Sequence, residues 1–211
     1  MAARFGFGEA FNFGLPGENR GLIPTPAWKR KTFGQAWHAG ETLITSIGQG
    51  FILCTPLQLA VMTSRLVNGG RPVLPRLMKN ERAEIQKRKS LQLSPQHLHI
   101  VLKGMDKVVN GSLGTARKVV DPSMKFQFGG KSGSVQVKRI SLNERESGKL
   151  KNKDRPWRER DHAMFVAFAP LKSPRYVVSV VVEHGGGGST MAAPIARDIL
   201  AEALRLNPSK L

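Results

Sequence analysis

Phe128-Gly129-Gly130-Lys131-Ser132-Gly133-Ser134-Val135-Gln136-Val137 is the stretch from which the rest of the chain is read. Gly129, Gly130 and Gly133 carry no Cβ, so a second backbone or a ligand can approach this strand closely. Lys131 adds a fixed positive charge, and Ser132 and Ser134 add hydroxyls that both donate and accept. After Gly133 the residues alternate in the manner of a half-buried strand. Such a surface suits an extended, anionic ligand. Paired glycines before a strand also make an ordinary turn, and Lys-Ser-Gly by itself is a weak motif until its structural context is known.

Composition bounds the answer. A chain of 211 residues makes one domain, or a domain with appendages, and buries roughly 70% of its unfolded surface. A hydrophobic share of 40% with 23% charged residues argues for a folded body and against disorder throughout. The 33 Lys and Arg against 15 Asp and Glu give a formal charge of +18, which attracts nucleic acid, anionic lipid or another polyanion. Cys54 is the single cysteine, so no internal disulfide exists; with only five scattered His residues there is no zinc spacing. No metal or cofactor is expected. Cys54 follows Phe51-Ile52-Leu53, which predicts buried packing. No run reaches the roughly 18 apolar residues of a membrane span, and the N-terminal residues lack the hydrophobic core of a signal peptide.

Residues 1–40 interleave glycine and proline with Phe5, Phe7, Phe11, Phe13, Trp28, Phe33 and Trp37, which predicts irregular structure with short helical turns. Beside Lys29, Arg30 and Lys31 these aromatics could form a stacking platform for single-stranded nucleic acid. Cover for a core fits better, because the basic residues are confined to one short run. Gly48-Gln49-Gly50 lacks the Lys-Ser or Lys-Thr ending of a phosphate loop. Thr55 as cap and Pro56 at the first helical position open a helix that Asn68-Gly69-Gly70 stops. The run Lys79 to Lys89 reads as an exposed charged connection. Ser94-Pro95 opens a second helix, closed by Asn110-Gly111; His97 and His99 lie on different faces of it and cannot share a metal.

Beyond the opening stretch, residues 138–160 read as a basic surface loop. His162–Ala169 and Tyr176–Val182 read as strands joined by a short antiparallel hairpin through Lys172-Ser173-Pro174-Arg175. The second strand is β-branched almost throughout, which predicts a central place or cover on both faces. Gly185 to Gly188 turn the chain into a helix from Met191 to Leu206. Strand, hairpin and terminal helix together predict an α+β layer, with helices on an antiparallel sheet.

Four separated stretches in register resemble the transpeptidase domain of class B penicillin-binding proteins, and of penicillin-binding protein 2 in its alphaproteobacterial form. They are Ile47-Gly48-Gln49-Gly50 with Thr55-Pro56-Leu57-Gln58-Leu59-Ala60; Gly130-Lys131-Ser132-Gly133-Ser134-Val135-Gln136-Val137; Asp161 to Pro170; and Glu183-His184-Gly185-Gly186-Gly187-Gly188-Ser189 with its following helix. The resemblance runs from about residue 5 to the end. It implies that residues 1–211 are the C-terminal portion of one such domain, carrying three strands of the partial penicillin-binding, serine-β-lactamase-like fold. Two further strands lie upstream in that fold, which would leave Tyr176–Val182 with an unpaired edge.

The function so implied is peptidoglycan D,D-transpeptidation during cell elongation, at the periplasmic face of the inner membrane. Stem peptides and β-lactams are the implied ligands and elongation-complex membrane proteins the implied partners, with no nucleic acid and no membrane span in this chain. By resemblance Lys131 gives positive potential, Ser132 and Ser134 bind the substrate carboxylate, Gly133 admits the acyl chain, and the Ser134 N–H is one oxyanion donor. Gln49, Asp161, His162, Glu183 and His184 are expected to be mainly structural. The nucleophile is not found: no serine is followed three positions later by lysine. Thr115-Ala116-Arg117-Lys118 has the wrong nucleophile, and Ser141-Leu142-Asn143 spells a second family motif out of order. The expected chain is therefore one wall of an active site, without membrane anchor or nucleophile. The alternatives are a non-catalytic scaffold or remnant of that enzyme, or a basic nucleic-acid-binding module.

Overall fold

A computed structural model describes residues 1–78, 89–138, 146 and 152–207. Most of the charged run after Met78, most of the basic loop, and Ser141-Leu142-Asn143 lie outside the described residues. The chain forms two compact units, Met1–Arg65 with Gly70–Gln92, and Leu66–Gly69 with Leu93–Leu211.

The first unit holds short helices, α1 (Ala2–Phe5), α2 (Pro26–Phe33), α3 (Ala39–Ser46) and most of α4 (Pro56–Val67). Caps set their starts. The Thr25 hydroxyl accepts from the Trp28 N–H at 3.1 Å with Pro26 in the first turn of α2. At α4 the Thr55 hydroxyl accepts from the Gln58 N–H at 3.1 Å, while the Gln58 side-chain oxygen accepts from the Thr55 N–H at 3.0 Å. That reciprocal pair is a capping box. The Gln58 amide then donates to the carbonyls of Glu9 (3.0 Å) and Arg20 (2.8 Å). Arg65 is likewise buried, and its guanidinium donates to the carbonyls of Arg4 (2.9 Å) and Val73 (3.0 Å). Buried backbone carbonyls need donors, and irregular loops cannot supply them by pairing.

One expectation holds in part in this unit and one fails. Of the N-terminal aromatics Phe5, Phe7, Phe11, Phe13, Trp28 and Trp37 are half-buried, while Phe33 is 48% exposed and meets Trp28 and, beyond that segment, Phe51 at ring-centroid distances of 5.3–5.6 Å. Cys54 is exposed, not packed inside, because Phe51 to Cys54 is loop whose pairing is the isolated Leu22–Leu53 bridge. Desolvation on its protein side still pushes the Cys54 thiol above its ordinary pKa.

The second unit begins with α5 (Pro95–Asn110), on which His97 and His99 are both exposed. Strands β1 (Gly129–Val135), β2 (His162–Ala169) and β3 (Tyr176–Val182) form an antiparallel sheet in that spatial order. A π-turn over Gly188–Ala192 leads into α6 (Ala193–Leu206). The core lies between β2 and α6: Ala163, Phe165, Ala167 and Ala169 meet Ala193, Ala196, Leu200 and Leu204, joined by Val109 of α5. Alanines on both faces let the helix seat closely on the strand. Among the described residues β3 is an edge strand, as the resemblance implied, and β2 is central; of the two readings its β-branched run allowed, a central place or cover on both faces, the second holds. The valines of β3 report cover of its two faces, with Tyr176, Val178, Val180 and Val182 turned to the core, and faces say nothing of edges.

Lys29 and Glu41 pair at 2.6 Å in the first unit, and the Glu41 carboxylate also accepts from the His38 N–H at 2.7 Å. The hydrogen bond from Lys29, then that from His38, hold the Glu41 carboxyl below its ordinary pKa. A depressed carboxyl stabilises the fold above its unfolded pKa and ceases to do so as pH falls through its folded pKa. Glu41→Gln should therefore lower the melting temperature at neutral pH, and the gap from the unsubstituted chain should close as the pH is taken below 4. Calorimetry across that range checks it; a gap independent of pH refutes the assignment.

Candidate functional site

β1 enters the site buried and leaves it exposed. A Cβ on Gly129 would lie 2.6 Å from the Phe168 ring, and one on Gly130 would lie 2.5 Å from the Phe165 ring and 2.6 Å from the Val166 carbonyl. Only glycine fits under those two buried rings. From Lys131 onward the strand is mostly open to solvent. The register pairs Ser132 with Phe165 and Ser134 with Ala163, whereas Lys131 pairs with Val166 and Gly133 with Met164. Alternation therefore puts both hydroxyls on the face that β2 turns to the core, and Lys131 on the other.

The expected residues Lys131, Ser132, Gly133 and Ser134 thus lie consecutively on one strand. The Lys131 ammonium donates to the Ser132 carbonyl at 2.6 Å. The Ser132 hydroxyl stands 3.4 Å from the Thr115 hydroxyl, and the Ser134 hydroxyl donates to the Gly186 carbonyl at 3.3 Å. Thr115, set aside in the sequence because it cannot be the nucleophile, is brought to the site by the fold. The sequence signal that could have found it is the Gly-rich turn at Gly111 and Gly114 immediately after a helix.

The glycine turn closes one end of the wall. Gly186 donates its N–H to the Asp161 carbonyl at 2.8 Å and has φ +81°, a left-handed conformation that favours glycine. The His184 N–H donates to Nδ1 of His162 at 2.9 Å, and Nδ1 of His184 lies 3.0 Å from the Arg160 carbonyl. The Trp157 ring sits 4.4 Å from that of His184, and Arg155 pairs with Asp161 at 3.6 Å. Asp161, His162 and His184 therefore tie the turn to the start of β2, while Glu183 points to solvent. Gln49 lies in the first unit. Gly188 packs on the sheet so tightly that a Cβ would strike the Met164 carbonyl and come within 2.5 Å of the Gly133 carbonyl.

A glycine-led strand presenting Lys-Ser-Gly-Ser, backed by an alanine-lined hairpin and a C-terminal helix, is the architecture that comparison with known proteins returns. The family described as penicillin binding protein transpeptidase domain matches residues 1–201, and the chain belongs to that family. Within it, the similarity is to the penicillin-binding protein 2 branch. The peptidoglycan D,D-transpeptidase MrdA of Haemophilus influenzae is 37% identical over 204 residues, which are 93% of this chain and 31% of the relative. Its Escherichia coli K12 counterpart is 30% identical over 206 residues. The crystal structure of Pseudomonas aeruginosa PBP2 in complex with WCK 5153 superposes with a TM-score of 0.80 at 38% identity, covering 96% of this chain and 42% of that one. A Helicobacter pylori complex of PBP2 with MreC gives 0.79 at 31% identity, covering 98% and 35%. The chain thus spans about a third of the length of the curated relatives it matches. Among the described residues no helix is long and apolar enough to cross a membrane.

The contact at Gly188 couples the turn to the wall. Gly188→Ala should cost about 1–3 kcal/mol, the range for inserting a methyl into packed structure. Thermal melts should show the loss, and amide resonances of Gly133 and Met164 should shift with it. An unchanged melting temperature would refute the packing argument.

Proposed function

We propose that this chain carries the substrate-binding wall of a D,D-transpeptidase that cross-links peptidoglycan stem peptides, with β-lactams as mimics of the same substrate. The carrying observation is the register of β1 against β2, which sets the Ser132 and Ser134 hydroxyls on one face of an exposed, glycine-flanked strand. In this reading both hydroxyls donate to the C-terminal carboxylate of the donor peptide. Lys131 supplies positive potential along the strand, and Gly133 leaves room for the acyl chain. The Ser134 N–H is one of two donors to the oxyanion; such a donor is worth on the order of 10² to 10³ in rate.

The chemistry is serine acyl transfer. A serine oxygen attacks the penultimate D-alanine carbonyl, an ester forms, and the terminal D-alanine leaves with the proton passed to it; an amino acceptor then displaces the serine. None of the 211 residues forms a Ser-x-x-Lys, so these residues by themselves supply binding and not the nucleophile. Residues 1–211 act as part of a single transpeptidase domain, working at the periplasmic face of the membrane. The Helicobacter relative solved with MreC supports membrane proteins of the elongation complex as partners.

Incubated with a fluorescent penicillin, the 211-residue chain should show no label that survives denaturation; a labelled band overturns the assignment of these residues to binding alone. Titrated with an N-acyl-D-Ala-D-Ala peptide, its amide resonances over Lys131 to Ser134 should move, and Ser134→Ala should weaken the response. Resonances that stay still at millimolar peptide overturn the wall reading.

A further inference from the structure

We infer that Thr115 is a third hydroxyl of the carboxylate-binding wall, contacting the substrate beside Ser132; this rests on the wall reading above. Its hydroxyl is 3.4 Å from that of Ser132 on β1, and the residue is exposed. At that separation the two hydroxyls barely satisfy each other. Each keeps a proton and lone pairs to offer, and a carboxylate has about four acceptor sites to fill.

The fold holds Thr115 there from two sides. On the helix side, the Gly111 N–H donates to the Lys107 carbonyl (3.1 Å) and the Ala116 N–H to the Val108 carbonyl (2.9 Å), folding residues 111–116 back onto the last turn of α5. A Cβ on Gly114 would lie 2.5 Å from both the Lys107 and Val108 carbonyls, so the backbone sits against the helix at a distance only glycine permits. Ala116, next to Thr115, is buried in the core. On the strand side, the Asn110 amide donates to the Phe128 carbonyl at 2.9 Å, joining the end of α5 to the residue that precedes β1. Thr115 is therefore an exposed hydroxyl on an anchored loop, aimed at the strand. Positions two apart on a strand are roughly 7 Å from each other. Thr115 adds a hydroxyl beside Ser132, and its fixed loop means little ordering cost on binding.

The test is the binding of N-acyl-D-Ala-D-Ala to the 211-residue chain, read from the amide shifts of residues 131–134, in the unsubstituted chain, Thr115→Val and Thr115→Ser. A hydrogen bond to a charged group predicts that Thr115→Val weakens binding roughly ten-fold or more, while Thr115→Ser stays within about two-fold of the unsubstituted chain on the same argument. The C-terminal carboxamide of the same peptide lacks the charge, so the Val substitution should change its binding far less. Equal affinity of the unsubstituted chain and Thr115→Val overturns the inference and leaves the wall reading standing. Equal weakening in Val and Ser variants overturns it as well, since the hydroxyl is then not the cause. If the unsubstituted chain moves nothing, the wall reading and this inference fall together. Should Thr115→Val lose its dispersed spectrum, Thr115→Ala against the carboxylate and carboxamide peptides decides the same question.

Discussion

The second unit depends on one steric fact: the Phe165 ring fills the space where Gly130 has no side chain. The ring is wholly buried, and a Cβ on Gly130 would lie 2.5 Å from it. Phe165 can occupy that space only if Ser132 stands opposite it and Gly130 opposite Ala167. A slip of one residue would bring Lys131 under the core and turn both serines to the other face. The register that seats an aromatic ring is thus the register that presents two hydroxyls. The placement of the two hydroxyls follows from core packing, without a separate device to orient them.

The helices and the hairpin are legible in the sequence because local chemistry writes them. Thr55-Pro56 combines a side-chain cap with a residue pre-set for the first helical turn, Ser94-Pro95 has the proline without a capping bond from Ser94, and both helices begin where those pairs stand. The strands His162–Ala169 and Tyr176–Val182 have the bounds their patterns predict. What escapes is set by distant partners. Nothing in Tyr176–Val182 says which strand lies beside it, so edge and centre read alike. Cys54 sits in an apolar run too short to have a periodicity, and tertiary packing left it outside. Thr115 comes to lie beside Ser132 through the fold-back of Gly111 and Gly114 onto α5; the glycine turn after the helix is visible in the sequence, but the contact it makes is not.

Not every cation behind the net charge of +18 faces solvent. Lys29 and Arg65 are buried, where they serve a carboxylate and backbone carbonyls. Lys29 joins α2 to Glu41 of α3, and Arg65 answers the carbonyls of Arg4 and Val73, so these charges tie short elements of the first unit together. A buried cation with satisfied partners contributes little field to a passing polyanion, because its neighbours' opposite charge and dipoles cancel it at short range. Composition counts these residues as surface charge, and the structure spends them inside.

The wall is also limited in what it can do, and the limit is chemical. A serine becomes a nucleophile when an adjacent base takes its proton. The Ser134 hydroxyl donates to the Gly186 carbonyl, which cannot accept a proton in that sense, and the neighbour of the Ser132 hydroxyl is another hydroxyl. Lys131 lies on the opposite face and donates to the Ser132 backbone. Neither hydrogen bond gives these hydroxyls a base that would make them nucleophiles. Contacts to a substrate carboxylate remote from the reacting carbonyl are made equally in the ground state and the transition state, so they raise affinity and orient the peptide without lowering the chemical barrier. On the proposed reading, the Ser134 N–H is the backbone group of β1 whose interaction strengthens as negative charge develops on the carbonyl oxygen. The register fixed by Phe165 and Gly130 is then also what determines where that donor points.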